Sequence, residues 1–191
     1  MKTTQPIRNP AEVSRLFAYL RGSNQPRNYL LVVLSVCTAL RISDILNLNC
    51  NDVYNFANDR VHTTLTITEQ KTKKSKIIAL NNSVVSALKV YWPQASLNTP
   101  LLVNARTGRA ITRVQAYRII RKAANAAGIE NNVSCHSLRK TFGYHALQNG
   151  VCPTVIMNIY NHSSMVVTQR YLGLTQDHIN SAYAAMEFDN L

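Results

Sequence analysis

Apolar positions mark the elements of this chain more clearly than any single motif. Val13, Leu16, Phe17 and Leu20 fall on one helical face after Pro10-Ala11-Glu12. That helix should stop at Arg21-Gly22-Ser23-Asn24, where the glycine offers a C-cap. Residues 27–38 are apolar almost all round, which predicts a buried helix with Arg41 at its end. Ser43-Asp44 can cap a short amphipathic helix through Leu48. The period then changes: Val61, Thr63, Leu65 and Ile67 alternate with polar residues, and apolar character resumes at 76–80. These read as two arms of an antiparallel hairpin with a lysine-rich tip. A helix starting at Asn82 carries Val85, Leu88 and Tyr91 and ends at Trp92-Pro93. Residues 104–109 read as a turn, and helices follow at 112–127, 137–148, 153–160, 165–171 and 176–186, with Gly128 and Gly150 as stops. The fold class is mainly α with a small antiparallel β-sheet (α+β). Residues 1–10 form a flexible lead-in, and 11–191 a single domain.

Charge narrows the partner. Lys+Arg number 21 against 9 Asp+Glu, a net +12 in a chain whose charged fraction is only 16%. A pI near 9.9 is the footprint expected of a nucleic-acid partner, with a basic solvated surface as the plainer alternative. Cys37, Cys50, Cys135 and Cys152 form no CxxC pair and read as reduced thiols in a cytoplasmic protein. No signal peptide is visible, and the greasy run 29–40 is too short to span a bilayer, so no membrane partner is expected.

Four segments carry candidate chemistry. In ALRISDILNL, Arg41 stands at the junction of two apolar helices, where a buried arginine needs a negative neighbour; Asp44 can be that structural partner. Lys71, Lys73, Lys74 and Lys76 cluster at the hairpin, either as a solvated loop or as phosphate contacts. His136 and Arg139 are three apart and share a helical face in HSLRKTF, pairing a planar guanidinium fork with a group that moves protons near neutral pH. His162 in NHSS precedes Tyr171 by nine positions; singly, these read as a loop histidine and a packing tyrosine.

In conjunction, and in this order, the four segments resemble the catalytic domain of the tyrosine recombinases, the phage integrase family, over roughly residues 11–180. Arg41 matches the family's first arginine, with Asp44 at its acidic position. Lys71 in QKTKKSKIIAL matches the hairpin lysine, Lys73 or Lys74 replacing it if the register slips. His136 and Arg139 match the HxLR motif, His162 the histidine of LGH-S, and Tyr171 the nucleophile. One departure is local: Tyr160-Asn161 stands where the family usually has Leu-Gly, which puts the loop conformation in question.

The resemblance implies a tyrosine recombinase catalytic-domain fold and a site-specific recombinase or integrase. Tyr171 would attack the scissile phosphate, leaving a 3′-phosphotyrosyl bond and a 5′-hydroxyl. Arg41 and Arg139 would clamp the non-bridging oxygens, Lys71 would protonate the leaving oxygen, His136 would take the Tyr171 proton, and His162 would hydrogen-bond the phosphate. It implies no cofactor and no metal, and the five histidines and nine acids form no ligand-spaced cluster. The partner is double-stranded DNA, contacted through Lys73, Lys74, Arg113 and Lys140 among other basic residues. A homo-oligomer (tetramer) forms on DNA, with 175–191 as a protomer-exchange helix; packing of that helix on its own domain fits its pattern equally. No separate N-terminal core-DNA-binding domain is expected, which leaves room for an accessory DNA-binding protein. A catalytically silent DNA-binding regulator of the same fold and a type IB topoisomerase are the alternatives. Six filled catalytic positions argue against the first, and the short length argues against the second.

Overall fold

The computed structural model describes residues 4–172 together with 183, 184 and 186. The expected helix at 176–186, and the exchange segment 175–191, therefore lie outside the described residues or nearly so. Contacts divide the chain into two compact units, Met1–His145 and Ala146–Leu191.

The first unit is built round one helix. After α1 (Pro10–Gly22), α2 (Pro26–Cys37) packs against α1, α3 (Ile42–Leu46), α4 (Asn82–Tyr91) and α5 (Arg113–Ala126), with an unbroken buried run from Asn28 to Val36. The all-round apolar pattern is thereby explained: each face of α2 meets another element. Burying each of its leucines and valines stabilises the fold by about 1.5–3 kcal/mol relative to exposure. Asn9, Asn81 and Thr112 cap α1, α4 and α5 with side-chain oxygens on backbone N–H groups.

Two details differ from expectation. α1 runs through Gly22 in helical geometry and the chain turns at Asn24, which takes the left-handed conformation at φ 52°. Asparagine tolerates that region because its side chain hydrogen-bonds locally, so the glycine is not needed there. α3 is shorter than expected and its N-cap is Arg41, with no side-chain cap; Ser43 and Asp44 lie inside the helix. Asp44 is unavailable as a cap because its carboxylate is engaged elsewhere, as described below.

The small sheets are two antiparallel pairs, β1 (Tyr54–Asn55) with β2 (Arg60–Val61), and β3 (Thr64–Thr68) with β4 (Ser75–Ala79). In the second pair Leu65 faces Ile78 and Ile67 faces Lys76. Strand alternation thus puts Leu65, Ile67 and, by continuation, Glu69 on one face, with Lys76 and Ile78 across from them. The expected hairpin is present, but its first arm starts at Thr64 and not at Val61, which pairs with Tyr54 in the β1–β2 ribbon, where the His62 N–H also donates to the Val53 carbonyl at 2.8 Å.

α6 (Cys135–Gln148) begins in the first unit, two residues earlier than expected. Ser134 and Ser137 exchange side-chain-to-backbone hydrogen bonds of 3.2 Å at its start, in the manner of a capping box. Within the second unit α7 (Pro153–Tyr160) packs on α8 (Met165–Leu172). Gly128 and Gly150 take positive φ of 70° and 80° after α5 and α6, as helix stops do. Among the described residues no helix is long and apolar enough to cross a membrane.

Candidate active site

The loop between α2 and α3 anchors both arginines of the motif. Ala39 sits in the left-handed region at φ 55°, a conformation that costs a residue with a side chain about 1–2 kcal/mol. In that conformation its carbonyl accepts a hydrogen bond from the Arg139 guanidinium, which is only 4% exposed. Arg41 follows two residues later, so a single short loop carries one arginine and holds the other.

Arg41 does not pair with Asp44, the acid three residues on. It makes its ion pair with Glu69, Nη1 to Oε2 at 2.9 Å, and Glu69 is fully buried. Asp44 instead accepts the backbone N–H of Gln70 at 2.9 Å. Both acids therefore join the α2–α3 region to the hairpin tip. Sequence inspection passes over Glu69 because it heads a basic, polar stretch; the period-2 continuation Leu65–Ile67–Glu69 is the signal that places it on the buried face.

The hairpin lysines separate by environment. Lys71, Lys73 and Lys74 are exposed in or beside the turn, with Lys73 left-handed at φ 56°. Lys76 is half-buried on β4. Lost hydration lowers its pKa, Glu69 opposes that, and the positive charges of Arg139 and Arg41 lower it further. Lys76, on which both arginine charges act, is thus a lysine that the family motif did not single out.

His136 opens α6 one turn before Arg139. Lost hydration, together with the charges of Lys140, Arg139, Arg113 and Arg41, pushes its pKa down to about 4. By surface area His136 is exposed, so solvent screens part of that shift, but four cations act in the same direction. The imidazole is neutral at pH 7 and able to accept a proton. Of the DNA-contact candidates, Arg113 is exposed at the start of α5, and Lys140 is half-buried with its pKa lowered by that burial. Arg121 is committed to Asn132 at 2.7 Å.

The second unit brings His162 and Tyr171 together. Their ring centroids are 5.0 Å apart at an interplanar angle of 71°, and buried Tyr160 lies 5.1 Å from the His162 ring and 4.9 Å from that of Tyr171. His162 Nδ1 hydrogen-bonds Thr168 Oγ1 at 3.1 Å, which fixes the ring from α8. The departure at Tyr160-Asn161 resolves simply. Asn161 caps α7 with φ 53°, ψ 42°, the left-handed conformation that a glycine would supply, and asparagine is the next residue to tolerate it. Tyr160 meanwhile contributes a ring to the cluster that a leucine could not.

Chemically, the first unit sets the charges of Arg41, Arg113, Arg139 and Lys140 on a neutral imidazole, an arrangement suited to a phosphate anion. The second offers a half-buried phenol beside an oriented histidine. Among the described residues no group of three or more His, Cys, Asp or Glu is arranged to hold a metal ion.

These features coincide with a known family. The phage integrase family model matches residues 9–178, and the chain belongs to that family. It is 40% identical to a probable integrase/recombinase, YoeC, of Bacillus subtilis over 183 residues, 96% of this chain and 97% of that protein. It is 30% identical over 169 residues to tyrosine recombinase XerD of Mycobacterium leprae, covering 83% of this chain but 51% of that one. The crystal structure of XerA recombinase superposes with a TM-score of 0.77 at 25% identity, over 100% of this chain and 66% of that one. The chain is accordingly of the tyrosine recombinase class, with DNA recombination, integration and DNA binding as its field of action.

Proposed function

We propose that this chain cuts and rejoins duplex DNA at a specific site through a 3′-phosphotyrosyl intermediate at Tyr171. The phenol oxygen attacks the scissile phosphorus, the bond to the 5′ oxygen breaks, and the phenol's proton passes to neutral His136. Lys71 supplies a proton to the leaving 5′ oxygen, so charge and atoms balance. Arg41 and Arg139 stabilise the charge that gathers on the non-bridging oxygens, and His162 adds a hydrogen bond. The second strand's hydroxyl then reclaims the phosphate, which is why no external energy source or cofactor enters the scheme.

The observation that carries this reading is that one short α2–α3 loop carries Arg41 and holds Arg139 through the Ala39 carbonyl, with the charges of both arginines, Arg113 and Lys140 acting on His136. A phosphodiester fits the chemistry of two guanidinium forks beside a neutral imidazole. Lys73, Lys74, Arg113 and Lys140 are assigned to the DNA backbone, giving salt-dependent affinity with little sequence information. Assembly as a tetramer on DNA, and help from an accessory DNA-binding protein, complete the proposal.

A suicide-substrate assay tests it. Nicked duplex from the ends of the element that encodes the chain is incubated in EDTA with wild type and with Tyr171→Phe, then run on a denaturing gel. A slow-migrating adduct from wild type alone is the expected result. No adduct from either protein assigns the chain to DNA binding without catalysis, and relaxation of plasmids without strand exchange assigns it to topoisomerase action.

A further inference from the structure

The hairpin tip is tied down at both sides of Lys71. On the near side, the Gln70 backbone N–H donates to Asp44 Oδ1 at 2.9 Å, and Asp44 lies within α3, which Arg41 opens. On the far side, the Thr72 hydroxyl donates to Glu69 Oε2 at 2.7 Å, the same oxygen that receives Arg41 Nη1 at 2.9 Å. The backbone of Glu69 closes the turn as well. Its N–H donates to the Lys74 carbonyl at 3.0 Å, and its carbonyl accepts from the Lys73 N–H at 2.9 Å. A solvated lysine loop has no need of a fully buried carboxylate, whose removal from water is costly. Strand alternation has put that carboxylate where an apolar residue would otherwise follow Leu65 and Ile67.

We infer that Glu69, with Thr72 as its relay, is a positioning residue that couples the first phosphate-binding arginine to the turn carrying Lys71. The inference rests on the recombinase reading of Arg41 and Lys71 and adds a part to it. One carboxylate oxygen sets the guanidinium on one side and the backbone beside the proton donor on the other, so a shift in either is felt by both. Lys71 is exposed and its long side chain is free to wander; anchoring Gln70 and Thr72 limits where its amine can reach.

The two arms of the coupling separate by leaving group. A normal 5′ oxygen needs a proton as it departs, whereas a 5′ sulfur leaves as a thiolate, whose conjugate acid has a pKa near ~8.5, and does not need one. Single-turnover cleavage is measured on nicked duplexes from the DNA flanking the chain's own gene, with oxygen or with sulfur at the bridging position. Thr72→Val cuts the arm to the turn, together with the 3.4 Å bond that the Lys74 N–H donates to the same hydroxyl, and leaves the Arg41 arm in place. It should cleave the oxygen substrate about 10-fold more slowly than wild type, and the sulfur substrate within about 2-fold of it. Glu69→Gln weakens both arms and should be slow on both substrates, with DNA affinity nearly unchanged. Thr72→Val at the wild-type rate on oxygen, or slowed equally on both substrates, overturns the inference. Should Glu69→Gln fail to fold by circular dichroism, Thr72→Val on the two substrates decides alone. Should wild type cleave neither substrate, the recombinase reading fails instead, and trypsin judges the tether. Cleavage after Lys71, Lys73 and Lys74 several-fold faster in Thr72→Val upholds it, and equal cleavage rejects it.

Discussion

Arg41→Gln should destabilise the free protein, apart from any effect on DNA. The substitution removes the cation from a carboxylate that has no exposed surface, while Arg41 itself keeps 21% of its side chain exposed. Breaking a buried pair from one side costs about 3–5 kcal/mol. Partial exposure of the guanidinium, together with the Thr72 hydroxyl on the same oxygen and the nearby charge of Lys76, moves the expectation to the lower end, about 3 kcal/mol. For a chain of this length each kcal/mol corresponds to roughly 2–4 °C, so Tm should fall by about 6–12 °C. Glu69→Gln in the Arg41→Gln background removes the stranded charge and should recover about 2 kcal/mol. Thermal and urea unfolding of wild type, both single variants and the double variant give the coupling directly. A Tm loss under about 2 °C for Arg41→Gln, or simple addition of the two single effects, would refute the reasoning and make the pair a weak surface contact.

Other consequences are accessible by simple means. His136 is held at about 4 in the folded chain against ~6.5 unfolded, so between those values the unfolded state binds more protons. Stability should be full above about pH 6.5 and fall toward pH 4, by roughly 1 kcal/mol once solvent screening of an exposed ring is allowed for. His136→Gln should remove that part of the pH dependence, and an unchanged profile would count against the shift. Asn161→Ala should cost about 1 kcal/mol in urea unfolding because alanine resists the left-handed cap, whereas Asn161→Gly should be neutral within about 0.5 kcal/mol. Lys74→Ala or Arg113→Ala should each lower the slope of log affinity for duplex DNA against log salt by about 1, and a slope equal to wild type would remove that residue from the backbone contacts.

Much of this chain's architecture is written in local patterns. Apolar periodicity is a local property, so the helices at 10–22, 26–37, 82–91 and 153–160 and the second arm of the β3–β4 hairpin were legible to within a residue or two, whereas the pairing of Val61 in a separate ribbon was not. The net charge pointed to nucleic acid, and the ordered motifs named the family before any coordinate. Tertiary structure decided what depends on neighbours distant in sequence. It gave Arg41 its partner 28 positions away in Glu69 instead of three away in Asp44, and it used a strained Ala39 carbonyl to seat Arg139 across 100 positions. It also left Lys76 half-buried on β4, where the charges of Arg139 and Arg41 act on it, while the tip lysines stay exposed. The reason is the same in each case. Hydropathy patterns report which face of an element is buried, but the choice among several acids or lysines for one cation's company is made by packing and desolvation, which no local window contains.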